Sequence, residues 1–220
     1  MNITVEQQKV IDHRQGHALV SAVAGSGKTD VLVARTLAML AEGVDPESML
    51  ILMFNKSAQE VFSERLTTQL SSADGIPGVL TFHALGLRML DLWYDRCRSA
   101  LPRLVDDDGE WMTILLNVVH MVNSVHSTGI NHHPDYLRKI LNGFDELKNM
   151  DYPYVAPDWD SFGWSPHLRE AIQMLFPYFE SERNNQYIMG LSDLLYDAVL
   201  LLRRETEYAK EWRHSLVHIM

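Results

Sequence analysis

A single cysteine, Cys97, stands in the 220 residues, so an intrachain disulfide and a cysteine-based zinc site are both excluded. Long hydrophobic runs are missing too. The longest, Met49 to Phe54, falls far short of the roughly 20 residues that a helix needs to span a bilayer. The N-terminus is polar from its second residue and lacks the apolar core of a signal peptide. Positive charge is scarce: 19 Lys and Arg face 29 Asp and Glu, for a net charge of -10. Bulk charge therefore cannot hold this chain on nucleic acid, and any such contact must come from a local patch. What remains is ordinary for a globular protein. Hydrophobic side chains make up 46% and charged ones 22%, which excludes disorder, collagen and coiled coil as global descriptions. The length allows one large domain or two small ones with a real core. The expectation is a soluble, cytoplasmic protein with no membrane part.

The first ninety residues alternate short apolar runs with amphipathic stretches. Ala18 to Val23 reads as a strand ending in a glycine-rich turn. A helix from Lys28 places Val31, Ala34, Leu37 and Ala41 on one face, and Gly43 stops it. Met49 to Phe54 has no polar break and reads as a strand covered on both faces, as in a parallel sheet. A second helix carries Ala58, Val61, Phe62, Leu66 and Leu70; the turn from Gly75 to Gly78 leads to Val79-Leu80-Thr81, and another helix starts near Phe82. This order predicts βαβ units and an α/β sheet. From about Asp91 to Tyr208 helical spacing dominates, with no convincing strand. The segments carry Met112 to Val122, Leu137 to Leu147, Leu168 to Phe179, and Leu191 to Leu202. The stretch 149–167 reads as an ordered loop rich in proline and aromatics, and Asp106-Asp107-Asp108 as a cap on the helix near Glu110. Ser215 to Met220 returns to a strand-like run.

The strongest chemical signal is Ala22-Val23-Ala24-Gly25-Ser26-Gly27-Lys28-Thr29. It matches G-x-x-x-x-G-K-[ST] at every fixed position but the first, where Ala22 replaces glycine. Small residues let backbone N–H groups curl around phosphate oxygens, and the following helix adds its positive dipole end. Lys28 reaches the terminal phosphates and Thr29 offers its hydroxyl to Mg²⁺ in such a loop. By itself the loop indicates a nucleoside triphosphate and no particular chemistry.

Three further blocks narrow the choice. Ile3 to Ile11 resembles the N-terminal glutamine motif of UvrD/Rep-type superfamily 1 DNA helicases. Phe54-Asn55-Lys56-Ser57-Ala58, followed by Glu60 and Arg65, resembles the next motif, beside single-stranded DNA. Thr81-Phe82-His83-Ala84-Leu85 resembles the third, which also borders the DNA path. The order and separations of the four blocks fit the family. Ile188 to Leu195 is similar to its short Phe-x-Asp-Leu-Leu-type segment, with Leu191 where an aromatic is common.

The resemblance implies an α/β fold: an incomplete P-loop NTPase (RecA-like) parallel sheet with a large all-helical inserted subdomain. It implies a motor core over 1–90, the helical insertion over 91–187 and a return to the core over 188–220. It implies ATP as the nucleotide, with Mg²⁺, and places Gln7 on the adenine edge. Residues 22–29 and Arg35 complete the nucleotide set. Asn55, Lys56, Thr81, Phe82 and His83 fall on single-stranded DNA, or on a duplex with a single-stranded tail. The implied parent activity is ATP-driven 3′-to-5′ translocation, in a DNA-repair setting among others.

Two departures matter. Asp30 follows Thr29 where UvrD-like proteins often have arginine, which touches one adenosine-side contact. The family's Walker B acidic pair would begin just after Met220. Hydrolysis needs a water-orienting carboxylate and an arginine on the γ-phosphate, so these 220 residues alone are expected neither to hydrolyse ATP nor to unwind DNA. Two other readings stay open: a non-catalytic nucleotide-binding or interaction fragment, and a P-loop small-molecule kinase with a helical lid. The histidine pair His214 and His218 sits about 13 Å apart at strand rise, too far to share an ion.

Overall fold

The computed structural model describes residues 3–70 and 75–220. It divides into two compact units, residues 3–85 with 204–220 and residues 86–203.

The first unit opens with α1 (Val5–Asp12), whose N-terminus is closed by a capping box between Thr4 and Gln7. Helix α2 (Lys28–Ala41) buries Val31, Val33, Thr36 and Met39 and ends before Gly43, whose φ of 85° suits a helix stop. Strand β1 (Met49–Met53) leads through Phe54 into α3 (Lys56–Gln69), and β2 (Gly78–Thr81) leads directly into α4 (Phe82–Arg96), within which the boundary between the two units falls. Helix α9 (Glu207–Ser215) and β5 (His218–Ile219) complete the unit. The sheet order is β2-β1-β5 and both pairings are parallel, with Met53 opposite Thr81 and Met49 opposite His218. The unbroken apolar run explains the central place of β1: Met49, Leu50 and Ile51 are almost fully buried, as a strand covered on both faces requires. Ile51 packs with Val33 of α2 and with Phe62 and Leu66 of α3. Each such side chain contributes about 1.5–3 kcal/mol by leaving water.

Two sequence expectations fail here. Residues 17–23 form no strand, and Leu19 and Val23 are 98% and 78% exposed. A strand exists only where a neighbour completes its hydrogen-bond ladder, and in the sheet of order β2-β1-β5 no strand pairs with residues 17–23. The C-terminal strand is also shorter than expected. His214 belongs to α9 and its Nδ1 lies 2.6 Å from the Lys210 carbonyl, so the two histidines do not share one strand face.

The second unit is helical: α5 (Asp108–His126), α6 (Pro134–Asn149), α7 (Pro166–Asn185) and α8 (Leu191–Arg203). Asp107 accepts from the Gly109 N–H at the start of α5, the expected cap. Leu115, Val119 and Val122 meet Ile140, Phe144 and Leu147 and then Ile172 and Leu175 in one core. The aromatic loop folds onto that core, with the Phe162 and Trp164 rings stacked 4.2 Å apart. A short parallel pair, β3 (Arg103–Leu104) with β4 (Ile188–Met189), corrects the expectation of no strand in this region. Two residues on each side are too few to leave an alternating pattern, and the pairing spans 85 positions of sequence (188 minus 103).

Charges are also buried in this unit. Lys148 of α6 is 6% exposed; its Nζ lies 2.5 Å from Asp193 Oδ1 and 2.7 Å from Glu180 Oε1. Arg183, 3% exposed, binds Glu180 Oε2 at 2.8 Å and Asp197 Oδ2 at 3.1 Å. Asp193 accepts the Gly190 N–H at 2.7 Å. Burial pulls the Lys148 ammonium down, but Asp193 and Glu180 outweigh it and hold its pKa above the ordinary lysine value. Burial likewise lifts Asp197, with Arg183 opposing.

Candidate nucleotide and DNA site

Loop 22–29 takes its shape from two glycines in the left-handed region, Gly25 at φ 78° and Gly27 at φ 82°. Gly27 is the N-cap of α2 and provides no side-chain cap. The first-turn N–H groups of the helix are thus left for an external acceptor, and their dipole end favours an anion. The Lys28 ammonium curls back to donate to the Ala22 and Val23 carbonyls, both at 2.7 Å. Ser26 N–H donates to the Val23 carbonyl at 3.3 Å, while the Ser26 hydroxyl is buried without a partner. Ala24 and Thr29 are exposed. An orphaned hydroxyl, an uncapped helix start and a lysine resting on carbonyls are a donor set suited to phosphate oxygens.

Gln7 meets this loop. Its Nε2 donates to the Ser26 carbonyl at 3.0 Å and its Oε1 accepts from the Thr4 N–H at 2.9 Å. Each end of the amide keeps one unused hydrogen-bond position. A cavity of about 470 Å³ opens here between α1 and α2, lined by Gln7, Val10, Val20, Ala22, Ser26 and Lys28 among others. Glu6 is the one carboxylate among the described residues lining it.

Arg35 lies elsewhere. Its guanidinium donates to the Val10 carbonyl at 2.9 Å and to that of His13, closing the C-terminus of α1. Burial, then the neighbouring Arg14, pulls its pKa down, and Glu42 opposes them. Arg35 thus bears on the loop through α1, which carries Gln7. Asp30 forms an ion pair with Arg65 of α3, which neutralises the carboxylate placed just after Thr29.

The second and third sequence blocks meet at the carboxyl ends of β1 and β2, paired up to Met53 opposite Thr81. Open α/β sheets place ligands at such ends. Asn55 Oδ1 accepts the Ala58 N–H at 2.8 Å and caps α3; Thr81 Oγ1 accepts the Ala84 N–H at 3.1 Å and starts α4. Those side chains are committed to shaping the two turns. Lys56 projects with 84% of its side chain exposed, 3.9 Å from Glu60, and His83 is exposed. Phe82 is 47% exposed and Phe54 89%. The pattern did not single out Phe54, because an apolar residue ending a buried run looks like core. Its signal was its place directly before the α3 cap.

Also unannounced in the pattern was the buried charge network of the helical unit, although Glu180 and Arg183, and Asp193 and Asp197, stand at helical spacing. Among the described residues no group of three or more His, Cys, Asp or Glu side chains is arranged to hold a metal ion. No helix of the described residues is long and apolar enough to cross a membrane.

Comparison with known proteins supplies further findings. The UvrD/REP helicase N-terminal domain matches residues 3–220. An ATP-dependent helicase/nuclease subunit of Ligilactobacillus salivarius is 32% identical over an alignment of 234 residues, covering 97% of this chain and 15% of that protein. A protein of the same name from Lactobacillus acidophilus is 45% identical over 76 residues, 34% of this chain and 6% of the relative. DNA helicase IV of Escherichia coli is 41% identical over 85 residues, 38% of this chain and 12% of the relative. The chain therefore matches only a small part of the length of these curated relatives.

Proposed function

This chain belongs to the UvrD/Rep helicase family by its N-terminal domain, and from that premise we propose that it is the ATP-binding and single-stranded-DNA-binding part of a 3′-to-5′ DNA helicase. The observation that carries the reading is the loop 22–29: an uncapped helix start, an orphaned Ser26 hydroxyl, Lys28 on two carbonyls, and Gln7 tied to the same loop. In this reading Lys28 would leave its two carbonyls for phosphate oxygens, and free backbone N–H groups of the loop and of the first turn of α2 would hold the rest of the phosphate chain. Thr29 is the residue that would hold Mg²⁺, which supplies charge neutralisation between the phosphates. The free donor and acceptor positions of the Gln7 amide fit an adenine edge that offers an acceptor and a donor side by side.

Phe54 and Phe82 offer faces for base stacking, and Lys56 a charge for phosphate, at the paired strand ends. Residues 91–187 are read as the subdomain inserted into a motor core formed by 1–90 and 188–220. One carboxylate, Glu6, and one cation, Lys28, line the loop cavity among the described residues, so the 220 residues are expected to bind ATP and not to turn it over.

Titration with a fluorescent ATP analogue and Mg²⁺ tests the reading. Saturable binding that falls at least tenfold in Lys28→Ala supports it, whereas equal affinity in the variant refutes it. DNA-stimulated steady-state turnover by the 220 residues would sink the statement that they do not hydrolyse ATP. Parent helicase polarity is checked in the intact protein by unwinding of duplexes with 3′ or 5′ tails.

A further inference from the structure

A second cavity, of about 320 Å³, lies wholly within the helical unit, where α6 and the start of α8 face the segment just after β3 and the start of α5. It belongs to neither the nucleotide loop nor the paired strand ends. Its floor is the Lys148–Asp193 ion pair, whose side chains are 3% and 2% exposed. One wall is aromatic, formed by Trp111 with Phe179, whose ring centroids stand 5.8 Å apart. Gly190 lets the indole lie against the backbone: a Cβ there would stand 3.3 Å from the Trp111 ring. Leu191, 57% exposed, adds an apolar lip.

The charges decide which ligand fits. Lys148 is already neutralised on the floor by Asp193 and Glu180. That leaves Arg138 against Asp106, Asp108 and Asp145 around the opening, an excess of two negative charges. Asp145 is held in place by the Ser192 hydroxyl, which donates to its Oδ1 at 2.6 Å. An anion would meet that excess and a buried floor with no free cation. A neutral apolar molecule would leave the carboxylates unused. The volume sits at the lower end of small-molecule sites.

We propose that this cavity binds a small organic cation, a primary amine or guanidine carried on an apolar body, with the body on Trp111 and the cationic head among Asp106, Asp108 and Asp145. The head gains charge-assisted hydrogen bonds, and the indole face adds an attraction of its own for a cation. The floor ion pair fixes the depth of the site, because Asp193 also holds the Gly190 N–H against the wall.

Phenethylamine and phenylacetate share an aromatic body and carry opposite charge, so they are the probes. Each is titrated into the 220-residue chain while the Gly190 amide and the Trp111 indole N–H are followed by ¹H–¹⁵N NMR. Saturable shifts of both signals with phenethylamine, and none with phenylacetate, are expected. Asp145→Asn keeps the acceptor for Ser192 and should weaken phenethylamine about threefold or more, the scale of one partly exposed ion pair. Arg138→Gln should tighten it by a similar factor. A purely structural effect of the substitutions would not give opposite signs. The proposal is overturned if phenylacetate shifts the same signals as strongly, if phenethylamine moves neither, or if both variants change affinity in one direction.

Discussion

Replacing Lys148 with methionine removes one charge from a buried network at nearly constant side-chain volume. Glu180, Asp193 and Asp197 are then left facing Arg183 alone. Removing one partner of a buried ion pair typically costs about 3–5 kcal/mol, because the remaining charge stays desolvated and uncompensated. For a chain of this size that corresponds to a fall in Tm on the order of 10 °C. Urea unfolding followed by tryptophan fluorescence suits the measurement, because Trp93, Trp111, Trp159 and Trp164 all lie in residues 86–203, the unit that contains the network.

The pH dependence separates this cause from a mere packing defect. Burial already holds the Asp197 carboxyl above the ordinary range. In the variant the surplus negative charge makes the cluster bind a proton more readily in the folded state than in the unfolded one. Stability then falls as pH rises from the unfolded carboxylate value, about 4, through the raised folded value. The cost of Lys148→Met should therefore be smaller at pH 5 than at pH 8. The double variant Lys148→Met/Asp193→Asn should recover part of the loss, since an asparagine oxygen still accepts the Gly190 N–H. A loss below about 1 kcal/mol at both pH values would show that the network was never desolvated as argued.

Three more outcomes follow from particular contacts. Gly86→Ala places a Cβ 2.5 Å from the Leu194 carbonyl oxygen, which is backbone and cannot rotate away. Overpacking should cost about 2 kcal/mol despite the helix preference for alanine, read as a lower urea midpoint at unchanged slope; a stabilised variant would contradict the close helix contact. Tyr196 donates to the Tyr152 carbonyl at 2.7 Å, and burial, then Glu180 and Asp197, pushes its pKa up to about 12. Its contribution is complete below the unfolded tyrosine value near 10 and is lost as pH rises through the folded value. Tyr196→Phe should thus lose about 1 kcal/mol at neutral pH and show a smaller alkaline decline between about pH 10 and 12 in the same unfolding assay. Arg35→Gln loosens the end of α1, and nucleotide-analogue affinity should drop several-fold through Gln7 with the loop intact; unchanged affinity would mean that α1 needs no such anchor.

Much of this molecule was legible before any coordinates. The helices of the 86–203 unit announce themselves because a helix buries a stripe through contacts three and four residues apart, as Leu137, Ile140, Phe144 and Leu147 do. Met49 to Met53 is legible as a doubly covered strand because no polar residue interrupts it. The phosphate loop is legible because its chemistry is local: two glycines, a lysine and a helix start within a few positions. Other features depend on partners far away in sequence. The β3–β4 pair, the fate of residues 17–23 and the burial of Lys148 are decided by which neighbour completes a ladder or a charge pair.

The sequence by itself therefore determined the helices of the 86–203 unit, the central strand β1 with β2 beside it, the phosphate loop and the family to which the chain belongs. Tertiary structure alone decided that the guanidinium of Arg35 closes α1, that Gln7 is tied to Ser26, and that Phe54 and Phe82 leave adjacent strand ends. It also decided which carboxylates face a buried lysine and which surround an open cavity. The physical reason is range. Backbone preference and hydrophobic period act over a few residues, whereas sheet pairing, desolvation and charge compensation are set by whatever the fold brings within a few ångströms.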